Sequence, residues 1–226
     1  MHRPEDRDPR AYVIPAGQRD FLTASKFVNA LLETGIRVER ATRAITVNGK
    51  TYPAGSFVVN ADQAFRPHVI DMFEPQDHPD NFAYPGAPPT RPYDNAGWTL
   101  AFQMGVDFDR LFDTVRDPAL AEVTEWNVTP APGTVRPGAA GGYLLQHEVL
   151  DSFRALNALG DTPVAMTTEG MVVNGVTYAA GSFWVDGGAA AKLAEVAAKT
   201  GISAAALTVK PAGLTPLKKP RIGLWD

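Results

Sequence analysis

The chain has 226 residues, 45% of them hydrophobic, with a net charge of −4 at pH 7 and a pI near 5.6. That is apolar material for one large domain or two small ones, and an acidic balance that argues against a nucleic-acid binder, which shows a basic stripe. Cysteine is absent, which excludes disulfides, thiol catalysis and thiolate metal sites, and no apolar run approaches the ~20 residues that span a bilayer.

The N-terminus, MHRPEDRDPR, is polar and has no signal-peptide pattern. Tyr12-Val13-Ile14, closed by Pro15, predicts a short buried strand. Phe21, Phe27, Val28, Leu31 and Leu32 then recur mostly at three- and four-residue spacings, predicting a helix that Gly35 stops. Ile36 and Val38 alternate with Arg37 and Glu39, as in a half-buried strand. Asn48-Gly49 between two β-rich runs predicts a tight hairpin turn with positive φ. Pro53-Ala54-Gly55 marks a second turn before a strand from Ser56 to Val59.

Residues 75–128 have a different composition. Pro75 to Pro92 contains Tyr84-Pro85-Gly86-Ala87-Pro88-Pro89 and reads as an extended loop. An apolar run from Trp98 to Met104 predicts a helix ended by Gly105, with Asp94 or Asn95 as its N-cap and Trp98 and Met104 turned inward. Asp107, Asp109 and Asp113 fit a solvated helix face. Residues 129–142, rich in Pro, Gly and Ala, read as a linker.

A repeat then decides the architecture. VNGKTYPAGSFVVN at 47–60 returns as VNGVTYAAGSFWVD at 173–186, identical at ten of fourteen positions. Tyr143-Leu144-Leu145 matches the first strand, Asn157-Ala158-Leu159 echoes Asn29-Ala30-Leu31, and Val164 and Met166 are aligned with Ile36 and Val38. The second copy is five residues shorter between its tyrosine and its Val-Asn-Gly, assigned to a trimmed loop before the helix. It continues into an alanine-rich helix, Ala189 to Thr200, stopped at Gly201. The expected fold is therefore α/β: two duplicated β-α-β-hairpin units, 11–74 and 143–208, packed together with a Pro-rich helical insert, 75–128. Tyr12, Tyr143, Phe57 and Phe183 are expected to be buried at equivalent positions, and Tyr52 and Tyr178 to be core residues. Residues 209–226 form a further linker running into Arg221-Ile222-Gly223-Leu224-Trp225-Asp226, which looks like the first strand of a following domain.

Chemistry is harder to find. The four histidines, His2, His68, His78 and His147, are scattered. His147-Glu148-Val149-Leu150-Asp151 approaches the His-Glu-x-x-His zinc helix, but Asp151 replaces its second histidine and no third ligand follows. A hydrolase centred on His147, Glu148 and Asp151 is the least favoured class. Ser56 and Ser182 recur in Ala-Gly-Ser-Phe at strand starts, a structural position rather than a nucleophile elbow. Gly138 to Gly142 precedes a strand instead of opening a helix, so it is no phosphate loop. Lys218-Lys219-Pro220-Arg221 reads as a solvated linker. No catalytic or metal-binding set is assigned.

AYVIPAGQRD, TYPAGSFVV and above all RPYDNAGWTLAFQMGV resemble the region that follows the catalytic domain in bacterial zinc carboxypeptidases, relatives of carboxypeptidase A that are often secreted. The resemblance implies a non-catalytic extension, commonly followed by a glutamine-amidotransferase-like domain whose first strand RIGLWD is similar to. It implies adjoining domains of a longer polypeptide as partners, a periplasmic or secreted location, and zinc only in the parent catalytic domain. No catalytic residue of that domain carries over to this chain. The expected function is a non-catalytic accessory domain that packs on the catalytic domain or aids substrate or envelope binding. The alternative is a small-molecule or glycan-binding module that uses Tyr93, Asp94 and Trp98 beside the proline-rich wall.

Overall fold

The computed structural model describes residues 7–75, 81–91, 99–218 and 223. The chain is mixed α/β with antiparallel sheets and divides into two compact units, residues 1–128 and 129–226.

The first unit contains β1 (Ala11–Ile14), α1 (Phe21–Glu33), β2 (Glu39–Ala41), the hairpin β3 (Ile45–Val47) and β4 (Lys50–Tyr52), β5 (Phe57–Asn60), α2 (Arg66–Phe73), α3 (Leu100–Gln103), β6 (Asp109–Leu111) and β7 (Leu120–Glu122). Its five-stranded sheet runs β6-β1-β5-β2-β7. Strand periodicity sends alternate side chains to opposite faces. Tyr12, Ile14, Phe57 and Val59 therefore join Phe27, Val28 and Leu31 of α1 in one core. Val13 and Val58 face the other way and pack with Ala41, Ile45 and Tyr52, so the β3–β4 hairpin covers the second face. Burial on both faces explains why β1 and β5 read as continuous apolar runs rather than alternating ones.

The second unit contains β8 (Gly142–Leu145), α4 (Leu150–Leu159), β9 (Val164–Thr167), the hairpin β10 (Met171–Val173) and β11 (Val176–Tyr178), β12 (Phe183–Val185), a 3-10 turn (Gly187–Ala189), α5 (Ala190–Thr200), β13 (Ala205–Leu207) and β14 (Leu214–Pro216). Its sheet runs β13-β8-β12-β9-β14, again antiparallel throughout. Leu144, Ala165 and Trp184 pack with Tyr178 on the hairpin side. Tyr12, Tyr143 and Phe57 are fully buried and Phe183 is 3% exposed. Both hairpins turn on Asn-Gly pairs in the left-handed region, Asn48 and Gly49 at φ 50° and 79°, Asn174 and Gly175 at 52° and 79°, as a two-residue turn that follows strand twist requires. Gly35 and Gly201 stop α1 and α5 at φ 83° and 80°.

Several expectations need correction. Residues 75–128 are not a separate insert among the described residues: β6 and β7 arise there and form both edges of the first sheet. Asp109 accordingly lies in a strand, not on a helix face, because pairing with β1 outweighs the local carboxylate spacing. The expected Trp98–Met104 helix is present as the single turn Leu100–Gln103, led by Thr99 at φ 55° without a side-chain cap. Ile36 and Val38 are buried but precede β2 rather than form a strand.

The cross-strand register also moves one alignment. Phe57 faces Arg40, and Phe183 faces Met166. Met166 thus stands where Arg40 stands, and Val164 corresponds to Val38, not Ile36. The five missing residues are then shared. Burial of Asp151, Ser152, Ala155 and Leu159 follows that of Thr23, Ala24, Phe27 and Leu31, so three residues are lost before the α4 register begins and two after it. Helix α2, not expected from the sequence, starts with Pro67 in its first turn and buries Val69, Met72 and Phe73.

The segment 129–142 is fastened to the second unit rather than left as a free linker. Thr134 N–H donates to Ser203 Oγ at 3.0 Å, the Tyr143 hydroxyl donates to the Arg136 carbonyl at 3.0 Å, and Trp184 Nε1–H donates to the Gly141 carbonyl at 2.7 Å.

Candidate functional site

Tyr93, Asp94 and Trp98 lie outside the described residues, as do His2 and His78. The polar chemistry that can be described in the first unit supports the fold. The Tyr12 hydroxyl donates to Glu74 Oε1 at 2.9 Å, while Arg110 grips both oxygens of that carboxylate, Nε to Oε1 at 2.9 Å and Nη2 to Oε2 at 2.8 Å. Phe73 stacks on the Tyr12 ring at 4.1 Å. Burial, then the adjacent Glu74 carboxylate, push the Tyr12 phenol well above its ordinary range. Tyr12 is thereby a neutral donor held against a carboxylate, not a proton-transfer group near neutrality. Burial and the neighbouring Asp109 push the Tyr52 phenol up to about 12. Ser56 Oγ accepts from Ala16 N–H at 3.0 Å and donates to the Pro53 carbonyl at 2.8 Å, which ties the turn before β5 to the end of β1.

The residues around His147 do not assemble for hydrolysis. His147 Nδ1 and Glu148 Oε2 are 3.6 Å apart, beyond hydrogen-bond reach. Asp151 is fully buried and pairs with Arg154 at 2.6 Å. Ser182 Oγ is buried with no hydrogen-bond partner among the described residues, and at 0% exposure no substrate reaches it. Among the described residues no group of three or more His, Asp or Glu side chains could hold a metal ion, and no helix is long and apolar enough to cross a membrane.

What the second unit does offer is a cavity of about 700 Å³ between α4 and the helix-facing side of its sheet. Phe153 and Leu156 of α4, Met166 of β9 and Phe183 of β12 form its apolar walls, with Leu217 at its edge. Its polar groups are few: His147, Asn157, Thr162 and Lys218. Size and balance are those of a small-molecule site, which is mostly apolar with a small number of orienting polar groups.

The first unit shows why the space is open. There Phe57 is covered by the Phe21 ring, stacked at 5.8 Å, and by the Arg40 guanidinium 4.9 Å from its centroid. In the second unit Arg40 is replaced by the slimmer Met166 across the same strand pair, and Phe183 packs T-shaped with Phe153, ring centroids 5.1 Å apart. Phe153 itself stays 48% exposed. A sequence signal for this existed in the substitution at the Arg40 position, but the register that pairs it with Met166 does not follow from local alternation.

The chain matches no protein-family model, and neither the curated proteins nor the solved structures contain a match to it.

Proposed function

We propose that this chain is a non-catalytic accessory region of a zinc carboxypeptidase-like protein, built from two copies of one β-α-β-hairpin unit, which packs on an adjoining catalytic domain or aids binding of substrate or envelope. The observation that carries this reading is the engagement of three of its carboxylates. Glu74 is held by Tyr12 and Arg110, Asp151 by Arg154, and Asp109 by Lys50, all as supports of local structure. The shared strand order of the two sheets supports the duplication, and the resemblance of the sequence supports the parentage and a periplasmic or secreted setting.

The test joins genetics and metal analysis. The coding sequence on either side should encode a His-x-x-Glu domain upstream, and zinc and peptidase activity should stay with that domain when residues 11–218 are expressed alone. One tightly held zinc per isolated chain, lost on His147→Ala, would overturn the proposal.

A second reading, a small-molecule-binding module, is favoured by one specific observation, the cavity beside Met166. It gives such binding a second place to be sought, besides the Tyr93, Asp94 and Trp98 segment.

A further inference from the structure

The cavity of the second unit has a charge pattern as well as a shape. None of the residues that line it is Asp or Glu, while Lys218 stands at its edge beside Leu217, and His147, Asn157 and Thr162 add hydrogen-bonding groups to an otherwise apolar wall. Glu148, next in sequence to His147, turns its Oε2 toward the imidazole at 3.6 Å, and that oxygen is buried. The positive charge at the edge is therefore not matched by a carboxylate within the lining. Apolar contact sets affinity in such a site, and one charged group at the mouth sets orientation.

We propose that this cavity binds a compact apolar molecule, aromatic or branched, that carries a single carboxylate: its body lies between Phe153, Leu156, Met166 and Phe183, and its acid group meets Lys218. The inference rests on the binding-module reading and not on the carboxypeptidase parentage. Its selectivity has a structural cause. The first unit fills the matching place with Arg40 and Phe21 against Phe57, so one unit binds and the other does not. The lysine confers preference for an anion without a dedicated buried pair, so recognition weakens as salt rises.

The test uses the full chain with methyl-labelled methionine, titrated with 2-naphthoate and with its neutral isostere 2-naphthylmethanol. The expected result is a saturable shift of the Met166 methyl signal with 2-naphthoate, and binding of the neutral isostere weaker by about fivefold, the worth of one partly solvated charge contact. Lys218→Ala should remove that difference while leaving the neutral compound unchanged. Met166→Arg places in β9 the side chain found at the matching position of β2, and should weaken 2-naphthoate by about tenfold or more by filling the space. If Met166→Arg fails to fold, Leu156→Trp carries the same expectation from the α4 side. Equal binding of both compounds would overturn the carboxylate assignment and leave a binding module. No saturable shift with either compound, or full binding by the folded cavity-filling variants, would overturn both.

Discussion

The two units share a strand order, yet the first is packed solid where the second is open. The difference is small in sequence and large in consequence. In the first unit α1 is thirteen residues long and begins at a side-chain cap, with Asp20 accepting from Thr23 N–H at 3.0 Å and from the Thr23 hydroxyl at 2.7 Å. In the second, α4 has ten residues and Val149 at its N-cap with no side-chain bond. Phe27 of α1, in edge contact with Phe73, corresponds in burial to Ala155. Ala155 in place of Phe27 and Met166 in place of Arg40 both remove material from the helix side of the sheet. Two sheets with one strand order can hold their hairpins and central strands alike and still differ where a ligand would enter.

The sharpest way to break the comparison is at the start of the first strand of each unit. Ala11 opens β1, but Gly142 opens β8 at φ 91°, and a Cβ there would meet Trp184 Nε1 at 2.4 Å and the Val185 carbonyl at 2.6 Å. Trp184 occupies the register position held by Val58 in β5. Gly142→Ala should cost about 2–4 kcal/mol from strain and overpacking together. Hydrogen exchange should place the loss in residues 129–218 and spare 7–75. In a Trp184→Val background the same glycine change should cost less, because the indole is gone and the backbone strain and the Val185 carbonyl contact remain; an unchanged cost would show that the indole is not the obstacle.

The buried tyrosines come next. Tyr12→Phe deletes a hydrogen bond to a carboxylate, for which about 1.5 kcal/mol is expected. Tyr143→Phe deletes one to the neutral Arg136 carbonyl, and about half that is expected. Denaturant melts of the two variants would compare them directly, and a larger loss for Tyr143→Phe would reverse the assigned roles.

Helix capping separates the units by a smaller amount. Asp20→Ala should cost about 1 kcal/mol, the usual worth of an N-cap. Protection of the α1 amides should fall while that of α4 is unchanged. If α4 loses protection equally, the units do not open independently.

The last effect is alkaline. Tyr52 is neutral when protonated and its phenol is raised from 10.0 to about 12 in the folded chain, so the folded state holds that proton more tightly. Its contribution is fully present below pH 10 and is lost as pH rises through about 12. Ultraviolet titration should show a phenol ionising near pH 12, with that of Tyr12 still protonated there, and Tyr52→Phe should remove the step near pH 12 along with its share of the alkaline loss.

How legible this chain was varies by element, for physical reasons. Asn48-Gly49 and Asn174-Gly175 declared their turns because positive φ at two successive residues selects that pair almost by itself. The apolar runs Tyr12–Ile14 and Phe57–Val59 declared strands, and Gly35 and Gly201 declared helix ends, since in each case the decisive energy is local. The edge strands β6 and β7 were not legible. Each has three residues, and partners in β1 and β2 about eighty to a hundred positions away supply the hydrogen bonds that make them strands. The role of Gly142 was equally hidden, because nothing in Gly138 to Gly142 reveals that an indole forty-two residues later lies where a Cβ would go. For the cavity, the sequence contained every residue but not the register, and a shift of two positions exchanges Val38 for Arg40 as the partner of Met166. By itself, then, the sequence determined the turns, the helix ends and the central strands, all written in short-range conformational preference. Only the tertiary structure decided which segments complete each sheet and which side of the second unit is left open, because both depend on contacts between residues far apart in the chain.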